Sequence, residues 1–155
     1  MTVLVVTSHA IPAQADVDET QIRLAGNSAQ ANLEDPESDW SFDGDVQLER
    51  GSLTLTADRM TAKRSKGDIV EVIAEGEPAQ FTQTEPNLVT ASSSSMTYSV
   101  TDETIVLSGE VILLQGGNET RGERIEYDVS SGELIAGSTN PADGQQIEFV
   151  LDDEE

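Results

Sequence analysis

The stretch FDGDVQLERGSLTLTADRM, Phe42 to Met60, is written a second time as LSGEVILLQGGNETRGERI, Leu107 to Ile125, at constant offset and with no gap. Gly44 answers to Gly109, Asp45 to Glu110, Val46 to Val111 and Leu48 to Leu113, and Asp58-Arg59-Met60 answers to Glu123-Arg124-Ile125. A third, looser version opens at Gly76-Glu77 and closes with Met96-Thr97-Tyr98. The three glycines stand about 32 residues apart, a spacing that suits stacked supersecondary units. A further turn of the pattern, Leu134 to Asp143, is ragged.

Each copy reads as strand. Trp40, Phe42, Gly44, Val46 and Leu48 alternate with Ser41, Asp43, Asp45 and Gln47, and Ile105, Leu107, Gly109, Val111 and Leu113 do the same. Ile125, Tyr127 and Val129 alternate with Arg124, Glu126 and Asp128. QIRL near the start and QIEFVL near the end look like terminal strands. Ser65-Lys66-Gly67-Asp68, Gly116-Gly117-Asn118 and Ser130-Ser131-Gly132 supply turns. No segment keeps a helical period, so the chain is all-β.

Within each copy the apolar parity changes once. Leu53, Leu55 and Ala57 give way to Met60; Val89 and Ala91 give way to Met96 and Tyr98; Gly122 precedes the change to Ile125 and Tyr127. A strand that changes parity keeps its apolar side chains on one face only if it bends or bulges there. Repeated corners imply two sheets folded over one another with apolar faces inward. The middle copy breaks the rule: Phe81 falls on the wrong parity, and Pro78 cannot donate to a ladder. That strand is expected to lie at an edge or to bulge.

Charge removes several function classes. Thirty acids stand against eight bases in 155 residues, for a net charge of −22. Such a field opposes nucleic acid and passive docking on an anionic membrane. There is no cysteine, hence no disulfide framework and no thiolate metal site. The single histidine, His9, precedes the strand region. Acid pairs such as Asp43/Asp45 and Glu123/Glu126 fall on the polar parity, and Asp43-Gly44-Asp45 lacks the spaced ligands and closing Glu of a calcium loop. Ser92 to Ser95 sits at a corner with no base nearby. No enzyme, cofactor or metal site is expected.

Residues 1–15 read as the tail of an export signal: Val3 to Val6 is apolar, and Ala13-Gln14-Ala15 has the small-x-small form of a cleavage site. The signal is incomplete, with no base before a short apolar run. Residues 16–151 form one domain, and 152–155 an acidic tail.

The inward set defines a candidate lining: Ile22, Leu24, Phe42, Val46, Leu48, Leu53, Leu55, Met60, Val72, Met96, Tyr98, Ile105, Leu107, Val111, Leu113, Ile125 and Tyr127. Any sandwich core has this composition, so the residues alone leave open a filled core or a ligand-bearing interior. Arg59 and Arg124 hold equivalent repeat positions, with Lys63, Arg64 and Lys66 beyond the first. They read as a solvated face paired with the many acids, or else as contacts for phosphate.

The phrases GDVQLERGSLTLTADRM, GEPAQFTQ, MTYSVTDETIVLSGEV and RGERIEYD resemble the LptA/OstA-like family of periplasmic lipopolysaccharide-transport proteins, over roughly Gln21 to Leu151. The resemblance implies an open, twisted β-jelly roll of repeated short antiparallel strands. Its apolar interior would carry the acyl chains of lipid A. Its ends would stack on related jelly-roll domains of inner- and outer-membrane components, or head to tail on further copies. Holding an acyl chain in water costs about 0.8 kcal/mol per CH₂, so roughly 10 kcal/mol for a chain of about twelve carbons. On this reading the candidate lining is the lipid-binding surface. The edge strands carry the partner contacts: Ile22 and Leu24 at one end, Ile147, Phe149 and Leu151 at the other. The rival is a non-enzymatic acidic structural or interaction module with a filled core.

Overall fold

A computed structural model describes residues 21–137 and 146–151. The leader reading over 1–15 and the acidic tail 152–155 lie outside the described residues. Among the described residues ten strands form one antiparallel sheet: β1 (Arg23–Ala25), β2 (Ser28–Gln30), β3 (Trp40–Arg50), β4 (Leu53–Ser65), β5 (Asp68–Gln83), β6 (Val89–Ser99), β7 (Thr104–Gln115), β8 (Asn118–Asp128), β9 (Leu134–Ala136) and β10 (Glu148–Val150). From β3 to β8 each strand pairs with the next in sequence, as hairpins make easiest. Two hairpins turn on residues that both have positive φ, Lys66-Gly67 and Gly116-Gly117, which matches the twist of the flanking strands. The path runs from β1 to β10, and these two edges do not pair with one another.

Every long strand breaks register where the parity changes. The ladders shift between Asp43 and Val46, Thr56 and Arg59, Glu75 and Ala79, Ser92 and Ser95, and Ser108 and Val111. Aligned side by side, these bulges crease the sheet into two layers. One holds 46–57, 79–93 and 111–122; the other holds 40–43, 59–75, 95–108 and 124–128. A single creased sheet therefore replaces the two sheets expected from the corners. The core forms between its layers, with residues from both halves in one cluster.

The repeated phrase owes its constancy to this crease. Gly44 and Gly109 have φ of 78° and 82°, and the acids after them, Asp45 and Glu110, also have positive φ. A side chain at either glycine would collide with a neighbour: a Cβ at Gly44 would lie 2.8 Å from Asn27 Nδ2, and one at Gly109 would lie 2.9 Å from Ser94 Oγ. Glycine meets both demands, of conformation and of space. The serine run does the matching work on β6. Ser93 is buried, with its Oγ donating to the Ser95 carbonyl at 2.9 Å, and Ser94 covers Gly109.

Of the two readings of the middle copy, edge or bulge, the structure selects the bulge. β5 is flanked by β4 and β6, so Pro78 stands in a central strand and not at an edge. It is accommodated by a bulge at Gly76-Glu77-Pro78, where two more residues are spent on β5 than on either neighbour. Past that bulge, Ala79, Phe81 and Gln83 face inward. The parity of Phe81 was a sign of the bulge.

Candidate functional site: an apolar interior closed by a side-chain seam

The interior collects most of the candidate lining. Val46, Leu48, Leu53, Leu55, Met60, Val72, Met96, Tyr98, Ile105, Leu107, Val111, Leu113, Ile125 and Tyr127 are all buried, and Ile22, Leu24 and Phe42 are half-buried against them. Cross-strand neighbours build the surface in rows, such as Leu48 opposite Leu55 and Leu107 opposite Ile125. Burying each such side chain contributes about 1.5–3 kcal/mol. Phe81 also belongs here, with Ala62, Ala74, Ala79 and Val89. Small alanines between branched residues let the layers approach. They carry weak parity signals, and Phe81 lay behind the bulge.

The edge residues fall differently. Leu24 pairs with Leu48 across β1 and β3, and Ile22 lies just before β1. Phe149 stands opposite Thr120 of β8 and is exposed, as are Ile147 and Leu151. Ile147 lies over Gly122, whose missing side chain leaves room for it. Both ends of the roll thus present short strands whose outer backbone edge has no ladder partner among the described residues.

The bases sit on the outer face. Arg59 Nε donates to Asp43 Oδ1 at 2.7 Å, directly across the ladder. Arg124 lies 3.6 Å from Glu126, and Lys63 lies 3.6 Å from Glu71. Arg64 stacks over the Trp40 ring, 4.3 Å from its centroid, and donates to the carbonyls of Asp35 and Gly67. The Lys66 backbone N–H donates to Glu37.

Opposite the crease the layers meet again, and this seam is made of side chains. Arg50 Nη1 donates to the Tyr98 hydroxyl at 2.5 Å and lies 3.7 Å from Glu103. Tyr127 donates its hydroxyl to Gln83 Oε1 at 3.0 Å, and Gln83 Nε2 donates to the Val129 carbonyl at 3.1 Å. The Phe81 and Tyr127 rings touch across the same line, with centroids 5.9 Å apart. Among the described residues no backbone-to-backbone hydrogen bond joins the layers here; every ladder runs between neighbouring strands, and the remaining backbone bonds stay within a layer or an edge loop. Burial raises the Tyr98 hydroxyl above its ordinary pKa, against the lowering effect of Arg50, and burial raises Tyr127 likewise. Both stay neutral, fit to act as hydrogen-bonding groups at an apolar rim. Parity had placed Tyr98 and Tyr127 on the inward face, but Arg50, Gln83 and the pairing itself were invisible in the periodicity, because each pair joins residues more than forty positions apart.

Among the described residues no group of three or more His, Cys, Asp or Glu side chains is placed to hold a metal ion. Among the same residues no helix is long and apolar enough to cross a membrane.

Comparison with known proteins agrees with this architecture. A family model described as LptA/(LptD N-terminal domain) LPS transport protein matches residues 26–133. The chain is 33% identical over 133 residues to the lipopolysaccharide export system protein LptH of Pseudomonas aeruginosa, covering 83% of this chain and 73% of that protein. It is 27% identical over 146 residues to the lipopolysaccharide export system protein LptA of Escherichia coli, covering 92% of this chain and 77% of that protein. The crystal structure of LptH, described as the LptA-homologous periplasmic component of the lipopolysaccharide transport device of Pseudomonas aeruginosa, superposes with a TM-score of 0.77. That match has 28% identity and covers 89% of this chain and 100% of that one. With its creased single sheet, its paired glycine bulges and these likenesses, the chain belongs to the LptA/LptD N-terminal-domain family of lipopolysaccharide transport proteins.

Proposed function

We propose that this protein is a non-catalytic carrier in the periplasm that shields the acyl chains of lipopolysaccharide between the two layers of its sheet. The observation that carries the reading is one apolar cluster that reaches from the half-buried Ile22 and Leu24 at one end to Leu134 and Ala136 at the other. Continuous apolar lining is what an acyl chain needs, at about 0.8 kcal/mol per CH₂ removed from water. The lining residues are those of the candidate set, with Phe81 added. The head group stays in water. A net charge of −22 gives it little electrostatic welcome, so affinity comes from acyl burial or from bridging divalent cations.

Docking to related jelly-roll domains of inner- and outer-membrane components uses the two ends. Ile22 and Leu24 flank the free edge of β1, and Ile147, Phe149 and Leu151 flank that of β10. Strand addition there contributes backbone hydrogen bonds and aligns one interior with the next. Such a contact is heterologous and extends into rods, which also allows head-to-tail association of further copies.

One observation favours the rival reading of a structural module: the interior is filled by its own side chains, several of them at 0% exposure. The two readings separate on bound lipid. Protein purified from the periplasm of a Gram-negative host is extracted with solvent and the extract analysed by mass spectrometry. Lipid A species recovered in stoichiometric amount support the carrier; a lipid-free protein in repeated preparations refutes it.

A further inference from the structure

At one place on the seam a solvent cleft reaches side chains of the core cluster. A cleft of about 370 Å³ opens between the β3–β4 turn and the β6–β7 turn, lined by Arg50, Leu53, Pro86, Tyr98, Glu103 and Val129. Leu53 and Tyr98 are only 3% and 1% exposed, and both belong to the core cluster. The cleft is therefore separated from the interior by one layer of side chains. Arg50 spans it, and its side chain is only 18% exposed. Its Nη1 holds the Tyr98 hydroxyl from the opposite layer, while its Nε is buried with no hydrogen-bond partner.

We propose that this cleft is a lateral port through which an acyl chain passes into the interior, and that the Arg50–Tyr98 contact is the latch that keeps it shut. The inference rests on the carrier reading above. Three features point to it. The interior is filled, so a chain is admitted only if the layers part. At the crease the layers are joined by continuous backbone, whereas at the seam they are joined by side chains alone, so they part at the seam. The latch itself is half-satisfied, because a buried guanidinium with an idle N–H gives up less on opening than a fully bonded one.

The chemistry of the opening selects its occupant. Leu53, Pro86 and Val129 offer an apolar passage, and Arg50, Glu85 and Glu103 ring the mouth with charge. An unbranched acyl chain crosses such a threshold while the hydrated head group it carries stays outside. Parting the layers also releases Gln83 from Tyr127 and Val129 farther along the seam.

The absence of native cysteine makes the test clean. The double variant Arg50→Cys/Glu103→Cys is bridged with a short reducible bis-methanethiosulfonate, and uptake of fluorophore-labelled lipopolysaccharide is followed by stopped flow before and after reduction. Bridging is expected to slow uptake by about tenfold or more, and reduction to restore it in the same molecules, because the bridge removes the open population. A second variant, Tyr98→Phe, keeps the ring in the core and removes only the latch. It should load about tenfold or more faster than wild type, the effect of one hydrogen bond to a charged group. Uptake unchanged by the bridge, or a Tyr98→Phe rate equal to wild type, overturns the port while leaving the carrier reading intact; loading then proceeds through the ends. A wild-type protein that takes up no lipopolysaccharide overturns both.

Discussion

Replacing Tyr127 with Phe would delete one hydroxyl and leave the ring in place. The residue is 2% exposed, and its hydroxyl donates to Gln83 Oε1, on a residue 4% exposed. The ring contact with Phe81 survives the change. What remains is an amide oxygen buried with no donor, and water has little access to replace it. A stranded buried acceptor costs about 1–3 kcal/mol. Gln83→Leu strands the tyrosine hydroxyl instead, together with the Val129 carbonyl that Gln83 Nε2 serves, and a similar or larger cost is expected. The double variant leaves only that carbonyl unserved. Its cost should not exceed that of Gln83→Leu alone, which gives a coupling of about 1–3 kcal/mol between the two sites, the whole cost of Tyr127→Phe. Urea unfolding followed by circular dichroism on wild type and the three variants completes the cycle, with equal slopes required before midpoints are compared. Additive single-variant costs, or a neutral Tyr127→Phe, would refute the claim that this pair clasps the layers.

Gly109→Ala should destabilise by about 1–3 kcal/mol, because an L side chain is strained at its positive φ and its Cβ would come within 2.9 Å of Ser94 Oγ. Adding Ser94→Gly should recover only part of that loss in thermal melts, and full recovery would show that φ is not the constraint. The buried Tyr98 and Tyr127 hydroxyls hold their protons above the ordinary pKa of 10.0, so the folded state binds protons more tightly than the unfolded chain. Their contribution is complete below about pH 10 and is lost as pH rises through the folded values, so the urea midpoint should hold up to about pH 10 and fall above it, and less steeply in Tyr127→Phe. A midpoint equally steep in that variant would contradict the assignment. Truncation after Gln145 removes β10, whose residues are exposed and which pairs with β8 at only three positions. Melting should change little while binding to a related jelly-roll domain at that end is lost; retained binding would place the docking edge elsewhere.

Much of this fold was legible in residues that obey two simple rules. Alternation from Trp40 to Leu48 and from Ile105 to Leu113 marked strands, and the parity changes after Ala57, Ala91 and Gly122 marked the crease. Side-chain period and register are local properties, so sequence carries them well. Whether the corners joined two sheets or folded one was not local, and the expectation of two sheets gave way to a single creased one. Pro78 was read as marking an edge or a bulge because proline removes a donor. The bulge solved that problem inside a central strand, and it moved Phe81 into the core. The lining was thus largely legible, while its closure was not: Arg50, Gln83, Tyr98 and Tyr127 meet only after six strands have folded back on themselves, and no short-range pattern records that meeting.

The central claim is that acyl chains run between the layers, on the inward residues. A photo-activatable benzoylphenylalanine placed in turn at Phe81, Tyr127 and Leu107, all inward and buried, and at Leu114 and Thr82 on the outer face reads this directly. After irradiation in cells making radiolabelled lipopolysaccharide, the inward positions should form lipopolysaccharide adducts and the outward ones should not. Adducts of equal yield from both faces, or none from the inward positions of a folded protein, would contradict it.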